Sequence, residues 1–214
     1  MSEEFIREVD EELKEEKYAK LWKKIAPYVI SLALGIILFT TSIVGWDSYI
    51  ENSKQKLGDD FTAAVELIKE EDIDTALIAL ERITDKSSDG YVTLSKMKKA
   101  AILINKKNIE GGLSIYLDLE NTAIDQSFRD MATILYVLNA LDYVEPLKLL
   151  EKINKLSIDS PWKFSALELK GFIFFKNNDL SRAKQIFQEI IDMGNAPSTL
   201  SSRARDMIEF MEVK

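Results

Sequence analysis

Apolar and polar positions divide the chain into three parts. Residues 1–24 are rich in charged side chains, residues 25–46 contain none, and the remainder mixes both kinds. In the last part apolar residues recur every three or four positions, as at Phe61, Val65 and Ile68. This is the spacing of amphipathic helices, and no stretch shows the strict alternation of a half-buried strand. The pattern predicts an all-α chain.

The uncharged segment from Ile25 to Trp46 has the length of a membrane span. About twenty apolar residues in a helix cover the roughly 30 Å of a bilayer's hydrocarbon core. Tyr28 and Trp46 lie near its two edges, where amphipathic rings favour the headgroup layer. The run is too long, and the segment before it too acidic, for a cleaved signal peptide. We therefore expect an uncleaved transmembrane anchor edged by Tyr28 and Trp46; the alternative is a buried core helix.

Basic residues are distributed unevenly on the two sides of this segment. The tail before it carries 6 basic and 8 acidic side chains, whereas only Lys54 and Lys56 follow it closely. Lysine and arginine set the orientation of a span and acidic residues contribute little, so we expect the N-terminus in the cytoplasm. The predicted organisation is a cytoplasmic charged tail (1–24), a transmembrane helix (25–46) and an exported domain (47–214).

The segment from Ala166 to Ile191 resembles a tetratricopeptide repeat (TPR), a helical hairpin that stacks on its neighbours. The residues at the spacing of that family are Leu167, Gly171 and Phe174 in the first helix, and Ala183 and Phe187 in the second. The small residues fall where the two helices cross closely, and the aromatic ones fill the space around the crossing. The resemblance implies that this segment folds as one helical hairpin.

Weaker copies of this hairpin precede it at steps of about 36 residues. Their matching residues are Ala64, Ala76 and Leu80 in the first copy, and Ala100, Gly112 and Tyr116 in the second. A degenerate third copy lies between these and the last, and Pro146 opens its second helix. We therefore predict a TPR-like solenoid of about four helix pairs plus a closing helix. The alternative is an ordinary helical bundle with accidental periodicity.

The composition excludes most catalytic chemistry. Of 214 residues none is histidine or cysteine, which removes His-based triads and His or Cys metal ligands. No phosphate-binding glycine loop occurs, and a net charge of −8 disfavours nucleic acid. Ser160 and Lys163 form an S-x-x-K pattern whose partner motifs are missing. We expect no enzyme, cofactor, metal site or small-molecule substrate; an enzyme that uses only carboxylates or lysine is the alternative.

A protein-binding surface is the expected function of such a stack. In TPR proteins the first helix of each pair lines a concave side that receives peptides or partner proteins. Phe172 and Phe175, in the first helix of the last pair, are candidate peptide contacts because they project away from Gly171 and Phe174. The alternative, which we favour, is that the closing helix covers both, because solenoids need capped ends.

The layout as a whole resembles the ancillary subunit of the Sec translocon. The resembling parts are REVDEEL (Arg7 to Leu13), KLWKKIAPYVI (Lys20 to Ile30), a single span and a short TPR-like domain. The resemblance implies a bacterial inner-membrane protein with its TPR domain in the periplasm. Its partners would be translocon subunits, a periplasmic chaperone and exported polypeptides, which it would assist as a chaperone does. The alternative function is a structural tether or coordinator in cell-envelope or division complexes.

Overall fold

The chain folds into helices joined by short connections. The computed structural model describes residues 2–85 and 90–212, without the side chains of residues 2–16, 19, 29, 30 and 33. The helices are α1 (Ser2–Lys69), α2 (Ile73–Thr84), α3 (Gly90–Asn105), α4 (Ile109–Thr122), α5 (Gln126–Ala140), α6 (Pro146–Ile153), α7 (Lys163–Lys176), α8 (Leu180–Asp192) and α9 (Ser198–Glu212). The described residues contain no strand, so the predicted all-α architecture is confirmed.

The chain divides into two compact units, residues 1–55 and residues 56–214. The first unit consists of α1 as far as Gln55, and the second contains the end of α1 and helices α2 to α9. The expected boundaries of the tail, the anchor and the exported domain stay predictions. Arg7 to Leu13, part of the resemblance described above, lie outside the described side chains.

The uncharged segment forms part of α1 within the first unit. Tyr28 and Trp46 are exposed, and the Trp46 ring lies 6.4 Å from that of Tyr49 between centroids. The side chains of Val29, Ile30 and Ala33 lie outside the described ones. In the described part of the chain, no helix is both long and apolar enough to cross a membrane.

The second unit is a succession of helical hairpins. The end of α1 packs on α2 and α3 through a cluster centred on Ala64, Leu80 and Ile102. The next hairpins are α3 with α4, α5 with α6, and α7 with α8, and α9 follows as a closing helix. Each helix packs mainly against its neighbours in sequence, which is the contact pattern of a solenoid.

Three of the hairpins turn through the same backbone motif. One residue in each turn adopts the left-handed helical region: Glu71 (φ 65°), Lys107 (φ 67°) and Asn178 (φ 59°). The N–H of the next residue then donates to a carbonyl oxygen five positions earlier, at 2.8 Å from Asn108 to Leu103 and 2.9 Å from Asp179 to Phe174. This is the Schellman arrangement that ends a helix. It reverses the chain within a few residues.

The residue after each left-handed position also starts the second helix. Asp72, Asn108 and Asp179 are the N-caps of α2, α4 and α8, and their side chains accept hydrogen bonds from backbone N–H groups three residues later. Such caps satisfy amide donors that have no partner within the helix. One dipeptide therefore both ends the first helix and begins the second, so the hairpins are tight.

The third hairpin is built differently. Its second helix, α6, has only 8 residues and begins with Pro146, whose missing N–H needs no partner at a helix start. The cap residue Glu145 makes no side-chain cap hydrogen bond. The degenerate sequence of this copy thus corresponds to a short second helix.

Candidate functional site

Two glycines allow close helix crossings within the stack. A Cβ atom on Gly171 of α7 would lie 2.7 Å from the Phe187 ring of α8. A Cβ on Gly112 of α4 would lie 2.8 Å from the backbone carbonyl oxygen of Ala100 in α3 and would also collide with Ile104. Real Cβ atoms do not approach other atoms so closely. Both glycines therefore set the distance between the two helices of their hairpins.

The other residues predicted from the repeat pattern lie in the interior of the helical hairpins. Ala64, Ala76, Leu80, Ala100, Tyr116, Phe174, Ala183 and Phe187 are all buried, and Leu167 is half-buried. Burial raises the pKa of the Tyr116 phenol. Closely packed apolar side chains of this kind hold helices together and offer no reactive group.

The two candidate peptide contacts are half-buried. The Phe172 ring packs edge-on against Phe187 of the same hairpin, with 5.5 Å between ring centroids. This differs from the expectation that Phe172 projects away from the hairpin interior. Phe175 packs edge-on against Phe210 of α9 at 6.0 Å, so the closing helix covers part of it. Their role as peptide contacts stays a prediction.

The closing helix is held by apolar packing and by one ion pair. Ala204 and Met211 of α9 are buried in the apolar cluster of the last hairpin. The Arg203 guanidinium donates to both carboxylate oxygens of Glu168 in α7, at 2.6 Å and 2.8 Å. Glu168 is a buried carboxylate, so the bidentate partner offsets the loss of its hydration. The sequence of α9 alone does not predict that Arg203 pairs with Glu168.

A polar cluster fixes the connection that leads into α7. The buried Ser160 hydroxyl donates to the buried Asp130 carboxylate of α5 at 2.5 Å, and Gln126 donates to the other oxygen at 2.7 Å. The Trp162 indole N–H donates to the Ser127 carbonyl oxygen at 2.9 Å. Lys163 lies over the Phe164 ring, 5.2 Å from its centroid. Ser160 of the S-x-x-K pattern thus serves as an internal hydrogen-bonding group, and Lys163 contacts an aromatic ring at the surface.

The acidic turn between α1 and α2 is engaged in ordinary surface interactions. Asp72 caps α2, and Asp74 accepts a hydrogen bond from the Lys106 ammonium at 2.5 Å. This hydrogen bond and the Lys106 charge hold the pKa of Asp74 below its usual value. No group of acidic side chains in the described part of the chain is arranged to hold a metal ion.

A groove opens between α6, α7 and α8. Its volume is about 230 Å³, and its apolar lining comes from Ile153 of α6, from Ala166 and Leu167 of α7 and from the connections that follow α6 and α8, whereas α8 itself contributes Glu189. Ile158, in the connection before α7, stands at the rim with 81% of its surface exposed. Lys163 and Lys170 of α7 also line the groove. Sequence reasoning missed this groove, although Lys163, Leu167 and Lys170 have the spacing of one helix face.

Comparison with known families agrees with the geometry. The model of the tetratricopeptide repeat-like domain family matches residues 19–210. The chain therefore belongs to the tetratricopeptide repeat-like domain family, and the predicted TPR-like solenoid is confirmed. No curated protein and no solved structure shows significant similarity to the chain. The family supports binding to protein partners in general, because TPR-like domains typically serve as protein-interaction modules.

Proposed function

We propose that the chain is a single-pass membrane protein that binds other proteins through its repeat unit. The observation that most supports an anchor is the exposure of residues 36–39, four successive apolar residues that are each between 57% and 70% exposed. Successive helical residues are about 100° apart, so these four cover the helix on every side. A helix that is apolar all round is typical of a buried core or a membrane span. A bilayer would remove this surface from water.

Three hydroxyl groups of the uncharged segment, those of Thr40, Thr41 and Ser42, have partners within the helix. Thr40 donates to the Ile36 carbonyl oxygen at 2.8 Å, and Ser42 donates to that of Leu38 at 2.7 Å. Polar groups inside a bilayer must be satisfied without water. These internal hydrogen bonds lower the cost of placing the segment in lipid. The uneven distribution of basic residues supports a cytoplasmic N-terminus and an exported repeat unit.

The second part of the proposal concerns the partners of the protein and its location in the cell. The resemblance of Arg7 to Leu13 and Lys20 to Ile30 to the ancillary translocon subunit supports an inner-membrane protein beside the Sec channel. The repeat unit would then assist exported polypeptides in the periplasm, together with a membrane-anchored chaperone. The chain carries no His or Cys, which supports binding rather than catalysis. A tether in envelope or division complexes is the competing function.

Site-specific photo-crosslinking in native bacterial membranes tests this proposal. One probe replaces Lys54, near the apolar segment, and a second replaces Lys98, an exposed residue of α3. Recovery of channel subunits from Lys54, and of a membrane-bound chaperone or exported chains from either site, would support the translocon role. Recovery of only division or cell-wall proteins would favour the tether and contradict the translocon role. The two sites also distinguish contacts of the anchor from contacts of the repeat unit.

A further inference from the structure

The groove between α6, α7 and α8 carries opposite charges on two of its sides, with lysines on α7 and a glutamate on α8. Along α7 the lining residues are Lys163, Ala166, Leu167 and Lys170. Positions three, four and seven apart lie on one face of a helix. This face therefore presents a short apolar stripe with an ammonium group at each end. The α8 side of the groove contributes Glu189 and Met193.

The two lysines of this face have no carboxylate partner in the described part of the chain. Lys163 packs over the Phe164 ring, and among the described residues no ion pair involves Lys163 or Lys170. Other lysines of the unit form ion pairs between helices, such as Lys152 with Glu120 at 2.6 Å. Two unpaired cations beside apolar surface favour an anionic and apolar partner.

The size of the groove favours a polypeptide over a small molecule. Its volume of about 230 Å³ lies below the range of about 300–1,000 Å³ typical of pockets for whole small ligands. It has room for apolar side chains that project from a chain lying across it. The exposed Ile158 and Met193 extend the apolar surface at the rim. Exposed apolar surface of this kind marks a contact site.

We propose that this groove binds an extended polypeptide segment in which side-chain carboxylates flank apolar side chains on the same face of the segment, as Lys163 and Lys170 flank Ala166 and Leu167. The apolar side chains enter the groove, and the carboxylates pair with Lys163 and Lys170. Glu189 on the opposite side repels the same carboxylates and thereby directs them towards α7. The inference rests on the proposed function only in taking a polypeptide as the occupant, and it needs neither the anchor nor the translocon.

Fluorescence anisotropy with the full-length protein in detergent tests the proposal. The probe is a labelled, C-terminally amidated peptide of about eight residues with glutamate, leucine and glutamate at every second position and serine between them. Two further peptides carry glutamine in place of glutamate, or serine in place of leucine. We expect the first peptide to bind and both others to bind about tenfold more weakly. Equal binding of all three peptides, or no binding of the first, would overturn the proposal.

Matched variants locate the binding. Lys163→Glu with Lys170→Glu should weaken binding of the first peptide by about tenfold or more. Lys98→Glu with Arg205→Glu changes the net charge equally at exposed sites outside the groove, and it should leave binding unchanged. Glu189→Gln should tighten binding, which gives a gain of affinity that misfolding cannot produce. Equal effects of both charge reversals, or no effect of Glu189→Gln, would contradict the assignment.

Sedimentation of the unliganded protein tests whether a second copy of the chain occupies the groove. A dimer that Lys163→Glu with Lys170→Glu dissociates would overturn the proposal, because the groove would then bind the chain itself. Failure of the peptide experiments leaves the crosslinking result intact, since channel contacts require no groove. Failure of the crosslinking leaves peptide binding intact in the same way. The two proposals therefore fail separately.

Discussion

Arg203 of α9 donates two hydrogen bonds to the buried carboxylate of Glu168 in α7 and so joins the closing helix to the last hairpin. The two residues are 35 positions apart in the sequence. The contact brings together a half-exposed cation and a carboxylate whose side chain is almost fully covered. Loss of the cation leaves that carboxylate without its bidentate partner.

Arg203→Leu should destabilise the second unit by about 1–2 kcal/mol, because Glu168 then remains covered without its partner. The double variant Glu168→Leu with Arg203→Leu should be less destabilised, since no buried charge is left. Denaturant unfolding of the full chain measures both, and hydrogen exchange in α9 locates the effect. A double variant less stable than Arg203→Leu would contradict this account of the pair.

Gly112→Ala should destabilise the protein by about 1–3 kcal/mol, because the new methyl group meets the backbone of α3, which cannot rotate away. Gly171→Ala should lower the free energy of unfolding by a similar amount. Adding Phe187→Leu to that variant should restore part of the lost stability, because the smaller side chain makes room for the new methyl group. Gly90→Ala is the matched control, because a Cβ there meets nothing within 4 Å. Thermal unfolding distinguishes these cases. If Phe187→Leu also restored the stability lost in Gly112→Ala, the crossings at Gly112 and Gly171 would not be independent.

Lys107→Gly should stabilise the protein by about 1 kcal/mol, because lysine is strained in the left-handed region that glycine adopts freely. The control Lys98→Gly removes a lysine from the interior of α3 and should cost about 1 kcal/mol. The midpoints of denaturant unfolding curves with equal m-values measure both changes in stability. A loss of stability in Lys107→Gly would mean that the lysine side chain contributes more than the strain of its backbone.

Carboxylate titration by NMR should distinguish two causes of a lowered pKa. The Lys106 side chain is the main cause at Asp74, so Lys106→Gln should return that pKa close to 3.8. At Asp179 the main cause is the backbone N–H of Arg182, so Arg182→Gln should return the pKa only in part. Full recovery at both sites would contradict the capping role of Asp179.

The sign of the associated pH dependence follows from these directions. Both carboxyl groups have a folded-state pKa below their ordinary value of 3.8. Their contribution to stability is therefore fully present above pH 3.8, and it is lost as the pH falls from there through the lowered pKa values. Acid unfolding of Asp179→Asn should accordingly show a weaker dependence on pH in that range.

Local sequence patterns were sufficient to predict the hairpins. The position of Gly171 opposite Phe187 follows from residues close together in the chain. The buried pair of Asp130 and Ser160 joins residues 30 positions apart, and no local periodicity encodes that contact. The groove beside α7 is equally non-local, because three helices and a connection must assemble before it exists. The contact of Phe172 with Phe187 depends on how far the two helices rotate about their axes, which spacing alone does not fix.

Cysteine accessibility tests most directly the central claim that the apolar segment anchors an exported repeat unit. The chain has no cysteine, so Ser202→Cys introduces a single thiol at an exposed position of α9, and Lys17→Cys does so before the apolar segment. The account predicts that a membrane-impermeant maleimide labels membrane-bound Ser202→Cys in intact bacterial spheroplasts, and labels Lys17→Cys only after lysis. Labelling of Ser202→Cys only after lysis, or recovery of the protein in the soluble fraction, would contradict it.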